Sequence, residues 1–253
     1  MKTTLFAAAL VVALSLSAAA AQKASPSQHL AGDMDGKQTP PLSIPPALCS
    51  PCIFYGGDLN VSSPNAAGLS DENTLLISEG QTYGNFNVPS GASVTVTGIL
   101  FNVQADANFD PLTATYDVRQ GVSEGDGGTD LASGSGAIQV AATGRNFLGL
   151  NEYSLAVQLA EPLVLGPGDY WFNMTPTCVA GSTDGSCYEG RQFVSNVNGR
   201  TNSIHGAGEP GGQIFLNSAF FGFTWANWCD SSLGLNARQC NSLSFGLMGY
   251  NND

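Results

Sequence analysis

The chain has 253 residues and is acidic, because 8 Lys and Arg face 20 Asp and Glu for a net charge of −12. This balance argues against nucleic acid and anionic membranes as partners, since both bind basic patches. Charged residues make up only 11% of the chain and 31 residues are glycine, which favours many strands joined by short turns over a helical protein.

Residues 1–21 have the three parts of a secretory signal peptide. Lys2 gives the positive start, Leu5 to Leu16 is a short apolar segment, and Ala18 to Ala21 offers small residues for cleavage. The alternative is an uncleaved anchor, although the apolar segment is short for a membrane span. We therefore predict cleavage near Ala21 and a secreted, extracellular protein. No second apolar stretch of spanning length follows, so we expect no membrane span after cleavage.

The segment after the signal is polar and proline-rich, without strand or helix periodicity. We predict a flexible leader over residues 22–74, which includes the CSPC motif, and a single β-domain over residues 75–253.

The six cysteines fit an oxidising compartment and form three groups that are local in sequence. The simplest pairing closes the second and third groups as two loops. The CSPC motif then closes on itself or stays reduced, and spacing alone does not decide the connectivity. The groups are Cys49 and Cys52, Cys178 and Cys187, and Cys229 and Cys240.

Short alternating segments dominate the rest of the chain. Ala114, Tyr116 and Val118 share one face of a predicted strand, opposite Thr115, Asp117 and Arg119. In a later strand the predicted inward residues are Tyr153, Leu155, Val157 and Leu159. Many short strands without a helical period predict an all-β fold, specifically a two-sheet β-sandwich of the jelly-roll type.

The turn between Gly121 and Asp130 carries three carboxylates, Glu124, Asp126 and Asp130, among four glycines. Calcium takes six to eight oxygen ligands, and a flexible acidic loop can supply them. The alternative is a solvated hairpin turn, in which Gly and Asp are favoured because they tolerate positive φ. Calcium is the one cofactor that the sequence suggests.

The segment FTWANWCDS predicts a ligand-binding patch. The rings of Trp225 and Trp228 would contact a sugar, and Asn227 and Asp230 would supply hydrogen bonds. The alternative is that one tryptophan is core and the other packs on a Cys229 disulfide. Trp171 would likewise fill the space between the sheets.

No catalytic residue is assigned. A serine-hydrolase elbow, G-x-S-x-G before a helix, is not predicted, because the one G-x-S-x-G string, Gly121 to Gly125, lies in a predicted turn between strands. The two histidines, His29 and His205, are too few for a usual transition-metal site. Glycoside hydrolysis needs two carboxylates at a defined separation, which sequence does not give. The acidic candidates considered are Glu152, Glu161, Asp169, Glu189 and Glu209.

Several strings resemble a family of bacterial secreted proteins that often carry a C-terminal PEP-CTERM sorting signal. They are TYDVRQGVSEGDGGTDLASGSG, TGRNFLGLNEYSLAVQL, LVLGPGDYWFNMTPTC, GGQIFLNSAFFGFTW and LSFGLMG, between Ser93 and Gly249. The resemblance implies an extracellular or surface protein and supplies no catalytic residues. Only Tyr250 to Asp253 follow, without the sorting motif, so we expect a released protein.

These features predict a non-enzymatic secreted protein that binds carbohydrate or other cell-surface or extracellular-matrix material. One alternative is a carbohydrate-active hydrolase or lyase that uses loop carboxylates. A further alternative is a structural protein that self-associates through the edges of its sheets.

Overall fold

The computed structural model of the chain describes residues 46–59, 69–70, 73–74, 77–78, 80–105, 109, 111–147, 149–177, 193–194, 196–197, 214–219, 222–227 and 242–252. Every helix or strand in these ranges is a β-strand, so the predicted all-β class is confirmed for them, and none of them contains a helix able to cross a membrane. The strands are β1 Cys52–Tyr55, β2 Leu69–Ser70, β3 Asn73–Thr74, β4 Ile77–Ser78, β5 Gln81–Val88, β6 Val94–Ala105, β7 Thr113–Gln120, β8 Thr129–Phe147, β9 Leu150–Leu165, β10 Gly168–Thr177, β11 Phe193–Val194, β12 Asn196–Val197, β13 Phe215–Ser218, β14 Phe223–Asn227, β15 Ser242–Leu243 and β16 Phe245–Asn251.

Ten antiparallel strands form one continuous hydrogen-bonded path. Their order is β1-β16-β6-β9-β8-β7-β10-β5-β13-β14. Off this path, β11 pairs with both β6 and β2, while β12 with β15 and β3 with β4 form two short separate pairs.

The sheet curls at the long strand β8. Residues 129–137 of this strand pair with β7, whereas residues from 138 onward pair with β9. The change of partner follows the small residues 133–136, two of which are glycines, and glycine is common where a strand bends sharply. At this bend the hydroxyl of Tyr116 accepts the N–H of Ala160 at 2.9 Å, which links β7 directly to β9.

The curl brings the two ends of the sheet face to face around one apolar core. The ring of Phe54 on β1 lies 5.1 Å from that of Phe86 on β5, and Phe245 on β16 stacks on Phe172 of β10 at 6.4 Å. Gly84 leaves room for this contact, because a Cβ there would lie 2.8 Å from the Phe245 ring. The result is one curled sheet, like half a barrel. This pairing does not establish the predicted division into two sheets.

The predicted inward faces of two strands do lie toward this core. Their outward neighbours form a second face, because side chains alternate along a strand. The residues in contact with the core are Ala114, Tyr116 and Val118 of β7, and Tyr153, Leu155, Val157 and Leu159 of β9.

The segment around the CSPC motif belongs to the sheet. Strand β1 pairs with β16, and the N–H of Gly249 donates to the carbonyl of Pro51. Cys49 and Cys52 form a disulfide, which is one of the two states that the sequence left open. Because Phe54 is fully buried, residues 46–59 are part of the domain rather than of a flexible leader.

Other predictions for the chain lie outside the described residues. These are the signal peptide over residues 1–21, the leader up to residue 45, and the four cysteines Cys178, Cys187, Cys229 and Cys240.

Candidate functional site

The outer face of β5, β7, β10 and β13 carries polar and aromatic side chains in register. Trp171 lies opposite Arg119, and Phe215 lies opposite Tyr83. Because their neighbours Phe172 and Leu216 belong to the core, strand alternation turns these side chains away from it. Sheet register therefore assembles a set of residues that are far apart in sequence.

The acidic turn and strand β14 meet at this face. The carboxylate of Glu124 accepts the backbone N–H of Asn227 at 2.7 Å, and the N–H of Gly125 donates to the carbonyl of Trp225 at 3.1 Å. Gly127 lies against the indole ring, since a Cβ there would be 2.4 Å from a ring carbon of Trp225. Two segments that the sequence presented as separate candidate sites are thus one structural unit.

Trp225 is the centre of this unit and is partly exposed. The guanidinium of Arg119 lies 4.9 Å from the centre of the indole ring, and the Tyr83 ring lies 4.7 Å from it at a tilt of 47°. The backbone of Trp225 has φ of +47°, a left-handed conformation that costs a non-glycine residue about 1 to 3 kcal/mol. The surrounding contacts therefore hold Trp225 in a conformation that the isolated chain would avoid.

Asp117 lies beneath this unit, with its side chain 10% exposed. One carboxylate oxygen, Oδ2, accepts the hydroxyl of Tyr83 at 2.9 Å and the Nε–H of Arg119 at 2.8 Å. The other oxygen, Oδ1, is buried and has no hydrogen-bond partner within the described part of the chain. Arg119 also donates to the carbonyl of Gly127 at 3.2 Å. The arginine thus ties Asp117 to the acidic turn.

Burial governs the electrostatics of this cluster. It raises the pKa of Asp117, and the hydrogen bonds from Arg119 and Tyr83 only partly oppose that effect. Burial and then the charge of Asp117 raise the pKa of Tyr83, so this tyrosine is a neutral O–H donor at physiological pH. We refer to Tyr83, Asp117, Arg119, Glu124, Trp225 and Asn227 together as the Trp225 surface.

The three predicted calcium ligands are not gathered around one point. Glu124 binds the N–H of Asn227, and Asp126 Oδ1 accepts the N–H of Gly128 at 2.9 Å. Asp130 lies on β8, opposite Arg119. Within the described residues no three His, Cys, Asp or Glu side chains are placed to hold a metal. Calcium binding at this turn stays a prediction.

The other predicted ligand residues divide into two groups. Trp225 and Asn227 lie on the surface just described, whereas Trp228 and Asp230 fall outside the described residues. Trp171 does not fill the space inside the curled sheet. It is buried on the outer face, where its ring meets Phe215 edge-on at 6.0 Å.

Sequence reasoning did not single out Tyr83, Asp117 and Arg119 as functional. Alternation along the strand places Asp117 and Arg119 on the face opposite Tyr116, which was a usable signal. Their approach to Tyr83 and Trp225 depends on the pairing of β7, β10, β5 and β13, which a single sequence does not reveal.

A second polar cluster occupies the outer face of the other half of the sheet. The hydroxyl of Tyr55 donates to Asp58 at 2.5 Å and accepts Nδ2–H of Asn102 at 2.8 Å. Arg145 bonds Asp58 at 3.2 Å and also Glu152, whose side chain is fully buried. Burial and the charge of Asp58 raise the pKa of Tyr55.

Three of the carboxylates considered for catalysis lie within the described residues, each in a different setting. Glu152 is held by Arg145 and accepts the hydroxyl of Thr143 at 2.8 Å. Asp169 accepts Nδ2–H of Asn87 at 2.7 Å, and Glu161 is exposed. Glu189, Glu209, His29 and His205 lie outside the described residues.

Comparison with protein-family models, with curated proteins and with solved structures finds no match for this chain. The assignment of a function therefore depends on the geometry and charge of the Trp225 surface.

Proposed function

We propose that this is a secreted, non-enzymatic bacterial protein that binds carbohydrate, or other cell-surface or extracellular-matrix material, through the Trp225 surface. In this proposal the signal peptide over residues 1–21 directs export, in line with the resemblance to bacterial secreted proteins. The two facing halves of the curled sheet would act as the two layers of a jelly-roll sandwich.

The observation that carries the proposal is the partly exposed indole of Trp225, held in a fixed position beside hydrogen-bonding groups. Arg119, Tyr83 and the Gly127 backbone all contact this ring. Aromatic side chains bury a large area for little loss of conformational entropy, which suits them to binding sugars. A ring that is already immobilised loses still less entropy when the ligand binds.

Polysaccharide pull-down with the purified mature protein tests this proposal. For a polysaccharide that retains the wild-type protein in this assay, we expect Trp225→Ala to weaken binding at least about tenfold, as for an aromatic hot spot. Tyr250→Ala is the matched control, because Tyr250 is an aromatic residue 56% exposed on β16, away from this surface. Equal binding by the Trp225 variant and the wild type would refute the proposed site.

The same samples distinguish the enzymatic and structural alternatives. Release of new reducing ends, abolished by Asp117→Asn, would favour a hydrolase, and an unsaturated product would favour a lyase. Concentration-dependent growth in sedimentation without polysaccharide binding would favour self-association through the sheet edges. We expect none of these three results.

A further inference from the structure

Negative charge dominates the Trp225 surface and its adjoining turn. Among the described residues of this cluster, four carboxylates face one cation, Arg119. Three of the carboxylates are exposed, and the whole chain carries a net charge of −12. The carboxylates are Asp117, Glu124, Asp126 and Asp130.

The single cation is already engaged. Arg119 uses Nε on Asp117 and Nη1 on the carbonyl of Gly127, and its face lies on the Trp225 ring. An anionic sugar would therefore meet several uncompensated carboxylates. The one cation of this cluster among the described residues is already paired within the protein. Such like-charge contacts oppose association.

Asp117 adds a buried negative charge beneath the exposed acidic turn. The residue is 7% exposed, and Oδ1 has no donor within the described residues. A buried acceptor without a partner is costly, and more so when the group is charged. A cation bound at the surface above Asp117 would offset part of this cost through its charge, without contacting Oδ1 itself.

We propose that the ligand of the Trp225 surface is a polysaccharide that carries protonated amino groups, an amino-sugar polymer rather than a neutral or uronic-acid polymer. This inference rests on the proposed function and names the ligand class for the same surface. An ammonium group brings three N–H donors and a positive charge, which match carboxylates through short charge-assisted hydrogen bonds. The electron-rich face of an indole also attracts a cation.

Glucosamine oligosaccharides and their N-acetylated counterparts of equal length provide matched probes, because acetylation replaces each charged ammonium by a neutral acetamide and leaves the sugar backbone unchanged. Calorimetric titration in chelator and low salt should show that the amine form binds at least about fivefold tighter, as expected for one exposed charge contact. Added salt should reduce this preference, since exposed charges are screened. Glu124→Gln and Asp130→Asn should reduce it too, through a larger loss of affinity for the amine form than for the acetylated form.

The outcomes separate the two proposals. If both forms bind equally and Trp225→Ala weakens both, the inference fails and the proposed function stands. If binding of either form is indifferent to Trp225→Ala, both fail. Absence of binding to either probe also overturns the inference, and the polysaccharide pull-down then decides the proposed function.

Discussion

The two halves of the curled sheet carry similar trios of side chains in different settings. In each trio the tyrosine hydroxyl donates to the aspartate, and the arginine pairs with the same carboxylate. The trios are Tyr55, Asp58 and Arg145 in one half, and Tyr83, Asp117 and Arg119 in the other.

The first trio is a structural clamp. Arg145 lies between Asp58 and the buried Glu152, so it joins the segment after β1 to strands β8 and β9. Asn102 connects the same tyrosine to Ser244 through its amide group. Two carboxylates share this one cation, and Glu152 Oε1 is buried without a hydrogen-bond partner in the described residues. The cluster ties distant parts of the chain together.

In the second trio Arg119 pairs with one carboxylate, that of Asp117. Its other contact is the Trp225 ring, where Arg145 has a second carboxylate. Arg119 therefore orients Trp225 and the acidic turn toward the outside, and Asp117 keeps one oxygen without a partner in the described residues. The comparison shows the same residue types in two settings: in the first the arginine joins two carboxylates of the protein, and in the second it pairs with one carboxylate and lies over a partly exposed ring.

Removal of the clamp cation should have the largest effect on stability. Arg145→Ala leaves Glu152 buried without its partner, so we expect a loss of about 3 to 5 kcal/mol in the free energy of unfolding. Arg119→Ala should lose less, because Arg119 pairs with the single carboxylate of Asp117, whereas Arg145 pairs with both Asp58 and the fully buried Glu152. Urea denaturation of both variants measures the difference. Equal losses would contradict the distinction between the two trios.

Removal of each tyrosine hydroxyl should lower the free energy of unfolding in the same order, with the larger loss in the first trio. Tyr55→Phe removes a donor to Asp58 and an acceptor for Asn102, whereas Tyr83→Phe removes a donor to Asp117. We expect Tyr55→Phe to cost about 1 to 3 kcal/mol and Tyr83→Phe about 0.5 to 1.5 kcal/mol. Thermal and urea unfolding of the pair provide the measurement, and a reversed order would count against the clamp.

The all-β class and the inward faces of two strands were predictable from the sequence, because alternation in segments such as TATYDVRQ directly reflects strand geometry. Strand β1 was not predictable, because its apolar run, Ile53 to Tyr55, is only three residues long and follows a proline-rich stretch. The Trp225 surface was predictable in its parts, the acidic turn and FTWAN. Their junction was not, since it depends on Gly127 meeting Trp225 across nearly a hundred residues.

The pH dependence of the free energy of unfolding should show that the pKa of Asp117 is raised in the folded state. Burial raises its pKa above the ordinary value of 3.8, so the folded state holds the proton more tightly than the unfolded state. The stabilisation from this proton is present at low pH and is lost as pH rises from 3.8 through the raised folded pKa. The free energy of unfolding of the wild type, relative to Asp117→Asn, should fall across that window. A difference between wild type and Asp117→Asn that stays constant across this pH window would exclude a raised pKa for Asp117.

Calcium should produce the smallest effect. Glu124 and Asp126 already accept backbone N–H groups, so we expect a weak site of the millimolar kind known in extracellular modules. Calcium at about one to ten times its Kd would then add about 0.4 to 1.4 kcal/mol to the free energy of unfolding. The triple variant E124Q/D126N/D130N should lose this gain, and a wild type that shows no gain would remove calcium from the account.

The central claim is that the acidic turn and β14 form one binding surface centred on Trp225. Its most direct test is the affinity of the mature protein for a retained polysaccharide, measured for the wild type, Trp225→Ala and Tyr250→Ala with folding verified by thermal unfolding. The account predicts at least about a tenfold loss for Trp225→Ala and none for Tyr250→Ala. Equal affinities for all three proteins would contradict it.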